Sequence, residues 1–185
     1  MTAISRLIIL AVLLRVGMPA PVQKSAMVRK SIPDSLSYMW KQVEMDFTSL
    51  AEAMPEAKWT FKPSQGEFKD VRTFAEQVKH VACSNEGWAK QINGHESIPL
   101  HCDTGGPNAA KTKAEILDYL KRSFQLLEAE IAATNADNLL QPAAGPYAGS
   151  NRLEAVNAAL GHTTDHYGQL VLYLRMNGIV PPASR

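Results

Sequence analysis

The sequence has few cysteines, little net charge and no long hydrophobic run, and each of these shortages excludes a class of protein. Two cysteines, Cys83 and Cys102, are too few for a disulfide framework; at most they form one bridge, in an oxidising compartment. A net charge of +1, with acids and bases interspersed, leaves no basic stripe and argues against nucleic-acid binding. No apolar run approaches the ~20 residues of a spanning helix, so no stable membrane span is expected.

The N-terminal segment has the order of a signal peptide. A short basic end leads into eight consecutive apolar residues, Leu7 to Leu14, and small residues and prolines follow. Arg15 cuts the apolar stretch short, and no clear cleavage site stands out. Residues 1–26 are therefore either a signal peptide, which makes the protein exported or periplasmic, or an N-terminal tail of a cytoplasmic protein.

The rest of the chain has the composition of one globular domain, assigned to residues 31–184. Of its 185 residues, 45% are hydrophobic and 20% are charged. Apolar residues three or four apart, bounded by caps, glycines and prolines, predict four helices: Ser31 to Met54, Thr73 to Gly94, Thr112 to about Thr134, and Arg152 to Gly178. This pattern predicts an all-α four-helix bundle. The long connections indicate either loops that build one end of a site or helices that run parallel.

Three histidines are the candidate metal ligands. His162 and His166 are four residues apart on the fourth helix, so both imidazoles can reach one ion. At about 100° per residue, they lie roughly 110° from the centre of that helix's apolar stripe. His80 has a similar flanking position on the second helix, and flanks of neighbouring helices can meet in a groove.

Three imidazoles would leave a bound divalent ion with its full charge and with open coordination positions. A water or a thiolate at an open position becomes a nucleophile near neutral pH. Zinc is the first expectation, and nickel, iron and manganese are alternatives that the same ligands allow. The catalytic residues are not assigned.

Neighbouring residues leave alternatives open. Cys83 follows His80 by three residues, so it is a fourth ligand, a small buried residue, or the partner of Cys102 in a disulfide. His95 and His101 are interpreted as solvated loop residues. Asp165 is interpreted as a surface acid, and Tyr173 either donates to a ligand or packs over the groove.

Two stretches resemble the DinB-like family. They are Thr73-Phe-Ala-Glu-Gln-Val-Lys-His80-Val-Ala and the segment from His162-Thr-Thr-Asp-His166-Tyr-Gly-Gln through Pro182. The similarity extends over Ser31 to Ser184. It implies an up-down-down-up bundle that holds a metal through three histidines, here His80, His162 and His166. Related members include transferases and isomerases that use low-molecular-weight thiols.

Two functional hypotheses follow. The first is a metal-dependent enzyme, a thiol S-transferase or a hydrolase, whose three-histidine site activates a thiol or water toward a small electrophilic substrate. The alternative is a non-catalytic metal-binding or stress-response bundle with a structural or vestigial site. A fourth ligand from Cys83 would favour the alternative, and an open position facing a pocket would favour the enzyme. A homodimer is an expectation for a bundle with an apolar outer face.

Overall fold

The computed structural model describes residues 31–94, 99–102, 109–144 and 150–185. The main elements are the helices α1 (Ile32–Ala53), α2 (Phe74–Asn93), α3 (Lys113–Ala132) and α4 (Arg152–Met176). These described ranges contain no strand, so the all-α prediction is confirmed. The predicted signal peptide or tail, residues 1–26, lies outside the described residues.

Hydrogen-bonding residues begin the helices where the sequence predicts. The Thr73 hydroxyl accepts from the Glu76 amide, while the Glu76 carboxylate accepts from the Thr73 amide at 2.7 Å. The same reciprocal box, built from Thr112 and Glu115, begins α3. Each box satisfies amides at a helix start that have no partner within the helix. α2 ends at Gly94, whose φ of 75° is the left-handed conformation that glycine adopts without strain.

Cross-helix ion pairs give the direction of α3 relative to α1. Lys41, early in α1, pairs with Glu128, late in α3, at 3.1 Å. Glu52, near the end of α1, pairs with Lys121 at 2.7 Å. Because the residue numbers rise on one helix as they fall on the other, α1 and α3 are antiparallel.

Helices α2 and α3 run in the same direction. Lys79, early in α2, donates to the carbonyl of Ala110, just before α3, at 3.2 Å. Asn85, further along α2, donates to Ser123 on α3, also at 3.2 Å. The residue numbers rise together on the two helices, so α3 begins at the end of the bundle where α2 begins.

Helix α4 is antiparallel to α2. Gln77, near the start of α2, donates to Gln169 late in α4, whereas His80 faces the earlier His162. With α1 taken as up, α2 and α3 are down and α4 is up. The up-down-down-up arrangement is therefore confirmed.

The core is apolar and aromatic. Its largest fully buried side chains include Trp40, Phe47, Phe74 and Phe124. The Trp40 indole packs on Phe124 with ring centroids 5.1 Å apart, and its Nε1 donates to the Phe124 carbonyl at 3.2 Å. Burying an aromatic ring while satisfying its polar atom joins α1 firmly to α3.

The buried face of α4 differs from the predicted one. The sequence placed its histidines about 110° from the apolar stripe, yet Thr163 is fully buried and His166 is 8% exposed. The buried residues on this side are small or polar, such as Ala155 and Ala159, and they allow α4 to lie against α2. The flanking position is therefore wrong for His166, which belongs to the buried face.

None of the helices in the described ranges is long and apolar enough to cross a membrane.

Candidate metal centre

Two antiparallel helices bring the three predicted histidines together. His80 lies two turns into α2, and His162 and His166 lie one turn apart on α4, so the three rings enter the same interhelical space. The spacing of four places the two α4 imidazoles one above the other. Because α2 and α4 are antiparallel neighbours, the His80 ring on α2 lies against both of these imidazoles.

The three imidazoles are in mutual contact. The Nε2 atoms of His80 and His162 are 3.2 Å apart. Ring centroids are separated by 5.1 Å for His80 and His162, 4.8 Å for His80 and His166, and 4.5 Å for His162 and His166. One ring nitrogen from each residue lies within 4.8 Å of the others.

The surroundings keep the α4 imidazoles neutral at pH 7. Burial, followed by the neighbouring His80, lowers the pKa of His162 to about 4. Burial, followed by His162 and then His80, lowers the pKa of His166 to about 4 as well. Desolvation disfavours the imidazolium, and closely spaced rings would repel one another if they were charged. Neutral rings retain the lone pair that a metal ion requires.

This geometry fits a divalent ion. A tetrahedral zinc with Zn–N bonds of about 2.0–2.1 Å separates its ligand nitrogens by about 3.3 Å. The 3.2 Å between His80 and His162 is close to that value, and one nitrogen from each of the three residues lies within 4.8 Å of the others. In addition, the Nδ1 atoms of His162 and His166 are buried without a hydrogen-bond partner. Within the described chain, no cysteine or carboxylate joins the cluster.

A polar network borders the cluster. The Gln77 side chain, 2% exposed, donates to Gln169 at 2.7 Å, and the Gln169 amide donates to the Asp165 carboxylate at 2.8 Å. Asp165 therefore holds Gln169 in place, and it is exposed, in agreement with its interpretation as a surface acid. The Tyr173 hydroxyl donates to the Arg72 carbonyl at 2.9 Å, which fixes the backbone just before α2.

Comparison with known proteins agrees with this arrangement. The family model described as the DinB superfamily matches residues 39–170, most of the chain, and this range contains all three histidines. The chain belongs to the DinB superfamily. No individual curated protein matches it.

In this DinB superfamily protein, Cys83 is bonded to Cys102, with their Cα atoms 5.9 Å apart. Of the three alternatives left open by the sequence, the structure has the disulfide. Cys83 is therefore not a fourth ligand in the oxidised protein, although it lies one turn after His80 on α2. Among the described residues, the site therefore lacks the fourth ligand that would have favoured a closed, structural metal site.

A second polar cluster beside the disulfide was not predicted. Glu86, 4% exposed, accepts from the His101 amide and Nδ1, both at 2.8 Å, and from the Tyr119 hydroxyl at 3.0 Å. Burial, followed by Glu86, raises the pKa of Tyr119. His101 is an exposed loop residue, as the sequence predicts, and its 60% exposed side chain is also anchored to Glu86. His95 lies outside the described residues.

Proposed function

We propose that this protein is a metal-dependent enzyme in which His80, His162 and His166 hold a divalent ion. The site would promote attack by a thiol or a water on a small electrophilic substrate. The observation that carries the proposal is the convergence of three imidazoles from two helices, with no further protein ligand among the residues described. Structural zinc sites have four protein ligands, whereas catalytic sites commonly have three.

The protein's contribution is to present neutral ligands in a fixed arrangement. Because burial keeps His162 and His166 unprotonated at pH 7, the ligand set adds no charge. A divalent ion held by His80, His162 and His166 would supply the positive charge that lowers the pKa of a thiol or water near neutral pH. Zinc is the ion proposed first, with nickel, iron and manganese as the alternatives.

Thiol transfer is proposed ahead of hydrolysis because of the resemblance to the DinB-like family, in which related members use low-molecular-weight thiols. The substrate would then be a small electrophile. The competing proposal, a bundle with a structural or vestigial metal site, retains support only if bound metal exchanges no external ligand.

Cobalt substitution tests the enzyme proposal directly. Co²⁺-loaded wild type is titrated with a simple thiol, such as 2-mercaptoethanol, while the visible absorption of the cobalt is recorded. Ligand entry at an open position is expected to add a sulfur-to-cobalt absorption band, and His166→Ala is expected to show no such band. A panel of electrophiles then reports thiol consumption. Stoichiometric cobalt whose spectrum no thiol changes would favour the structural alternative.

We also propose that the protein works in an oxidising compartment, with residues 1–26 acting as a signal peptide. The support is the Cys83–Cys102 bond, because disulfides persist in exported proteins and are rare in reducing cytoplasm.

A further inference from the structure

A pair of glutamine side chains joins α2 to α4 one turn away from the histidines. The Gln77 Nε2 donates to the Gln169 Oε1 at 2.7 Å. Gln77 precedes His80 by three residues on α2, and Gln169 follows His166 by three residues on α4. Residues three apart are neighbours on one helix, and the two helices are antiparallel. The amide pair is therefore the next layer of the same interhelical contact that brings the His80 and His166 rings together.

The orientation of this amide pair is set by a third residue. The Gln169 Nε2 donates to the Asp165 carboxylate, one turn earlier on α4, at 2.8 Å. This bond occupies the amide nitrogen of Gln169 and leaves its carbonyl oxygen to accept from Gln77. Because Gln77 is only 2% exposed, its hydrogen bond to α4 is made in the protein interior. The bond therefore fixes how far α2 is shifted along α4.

The buried pair specifies an arrangement more than it adds stability. The Gln77 Oε1 is buried without a hydrogen-bond partner, and an unsatisfied buried acceptor offsets part of what the bond contributes. Replacing both partners of a buried hydrogen bond by apolar groups of the same shape can be nearly neutral for stability. Apolar contacts have no preferred direction, whereas a satisfied hydrogen bond between two helices is lost when one helix slides along the other.

Metal coordination depends on the same arrangement. His162 and His166 lie on one helix, so their relative position is set within α4, whereas His80 meets them only if α2 is correctly placed along α4. The Nε2 atoms of His80 and His162 are 3.2 Å apart. A shift of one residue along a helix moves a side chain by about 1.5 Å, and metal–ligand distances vary by only about 0.2 Å.

We propose that Gln77 and Gln169 are positioning residues that hold His80 opposite His162 and His166, and that they thereby raise the affinity of the site for a divalent ion. The inference rests on the proposed function, because it assumes that these three imidazoles bind the metal. Neither glutamine contacts the ion; both act through the placement of α2 against α4.

The test measures metal affinity and fold stability in the same variants. Gln77→Leu, Gln169→Leu and the combined variant are compared with wild type by Zn²⁺ competition against a chromophoric chelator, by Co²⁺ absorption spectra and by urea unfolding of the apoprotein. Each variant is expected to bind Zn²⁺ about tenfold more weakly, at the lower end of the effect of residues that orient metal ligands, and to give an altered Co²⁺ spectrum. Lower stability alone leaves the dissociation constant of the folded protein unchanged.

Gln91→Leu is the matched control. Gln91 is another glutamine of α2, is 9% exposed and also has a buried Oε1 without a partner. It lies eleven residues beyond His80, about 16 Å along the helix axis, so its loss leaves the contact beside the histidines unchanged. This variant is expected to bind Zn²⁺ and Co²⁺ as wild type does.

The combined variant distinguishes the hydrogen bond from packing, because two leucines retain an apolar contact at the same place. Weaker Zn²⁺ binding by folded variants, with Gln91→Leu unaffected, supports the inference. Wild-type affinity in the combined variant, or an equal loss in Gln91→Leu, overturns the inference alone. Gln169 is only partly buried, so Gln169→Leu provides the answer if Gln77→Leu does not fold. Failure of wild type to bind either metal overturns the proposed function together with this inference.

Discussion

At the scale of residues, the convergence of three imidazoles carries the argument for a metal, and their second nitrogens bear on it as well. The Nδ1 atoms of His162 and His166 are buried without partners, and leaving a buried polar atom unsatisfied costs about 1–3 kcal/mol. A metal-ligating histidine usually has its second nitrogen held by another group. An ion bound through the nitrogens that face one another would fix the orientation of the three rings, and the buried Nδ1 atoms would still require partners of their own.

The depressed histidine pKa values predict how acid affects the metal-free protein. In the unfolded chain, His162 and His166 take up protons below about pH 6.5, whereas the folded rings resist protonation until about pH 4. The unfolded state therefore binds more protons across this window, and the free energy of unfolding falls as the pH is lowered. Urea unfolding of the apoprotein at several pH values from 8 to 5 measures the effect.

The matched variant for this experiment is His162→Gln, which removes one titrating ring and keeps a polar side chain. Its loss of stability between pH 6.5 and 5 is expected to be smaller than that of wild type. Parallel stability curves for the two proteins would show that the imidazoles are not protected from protonation as described.

At the scale of helices, local signals identified the ends better than the buried faces. The boxes at Thr73 and Thr112 lie within four residues and can be recognised from spacing alone. The orientation of α4 could not be recognised in this way, because Ala155, Ala159 and Thr163 add little to an apolar stripe yet are buried. Their small size has an effect only when α2 packs against α4, because it then allows the two helices to lie close together.

The Glu86 cluster was missed for a related reason. Its partners are His101, from a loop, and Tyr119, from α3, which lie 15 and 33 residues away. No sequence period connects residues at such separations. The available signal was an acid at an otherwise buried helix position, since buried carboxylates require hydrogen-bond donors.

The Cys83–Cys102 disulfide, which attaches the loop before α3 to the middle of α2, is expected to stabilise the fold. The two residues are 19 apart, and closing a loop of this size contributes about 3 kcal/mol in the chain-entropy model. Cys102→Ser and Cys83→Ser should lower the free energy of unfolding by similar amounts. Denaturant unfolding measures this, and reduced wild type should match the variants.

The same bridge tests the proposed compartment. In protein isolated from cells into an alkylating quench, both cysteines are expected to be protected, and N-terminal sequencing should find residues 1–26 removed. Free thiols in that sample, or a reductant that leaves wild-type stability unchanged, would contradict these expectations.

At the scale of the whole molecule, the site depends on topology. His80 and His162 are 82 residues apart in sequence, and they meet because α4 packs against α2 rather than against its predecessor α3. The spacing of apolar residues predicted the number of helices. The long connections between them were compatible with parallel helices but did not require that arrangement. The family resemblance supplied the arrangement, since neither spacing nor composition determines which helices are neighbours. The homodimer remains a prediction.

The measurement that tests the central claim most directly is metal content. Wild type and single-alanine variants of His80, His162 and His166 are loaded with Zn²⁺, dialysed against metal-free buffer and analysed by mass spectrometry, with His101→Ala as the control histidine. Wild type and His101→Ala are expected to retain one ion per chain, and each of the other variants much less. A wild type that retains no zinc, or cluster variants that retain as much as wild type, would contradict the account.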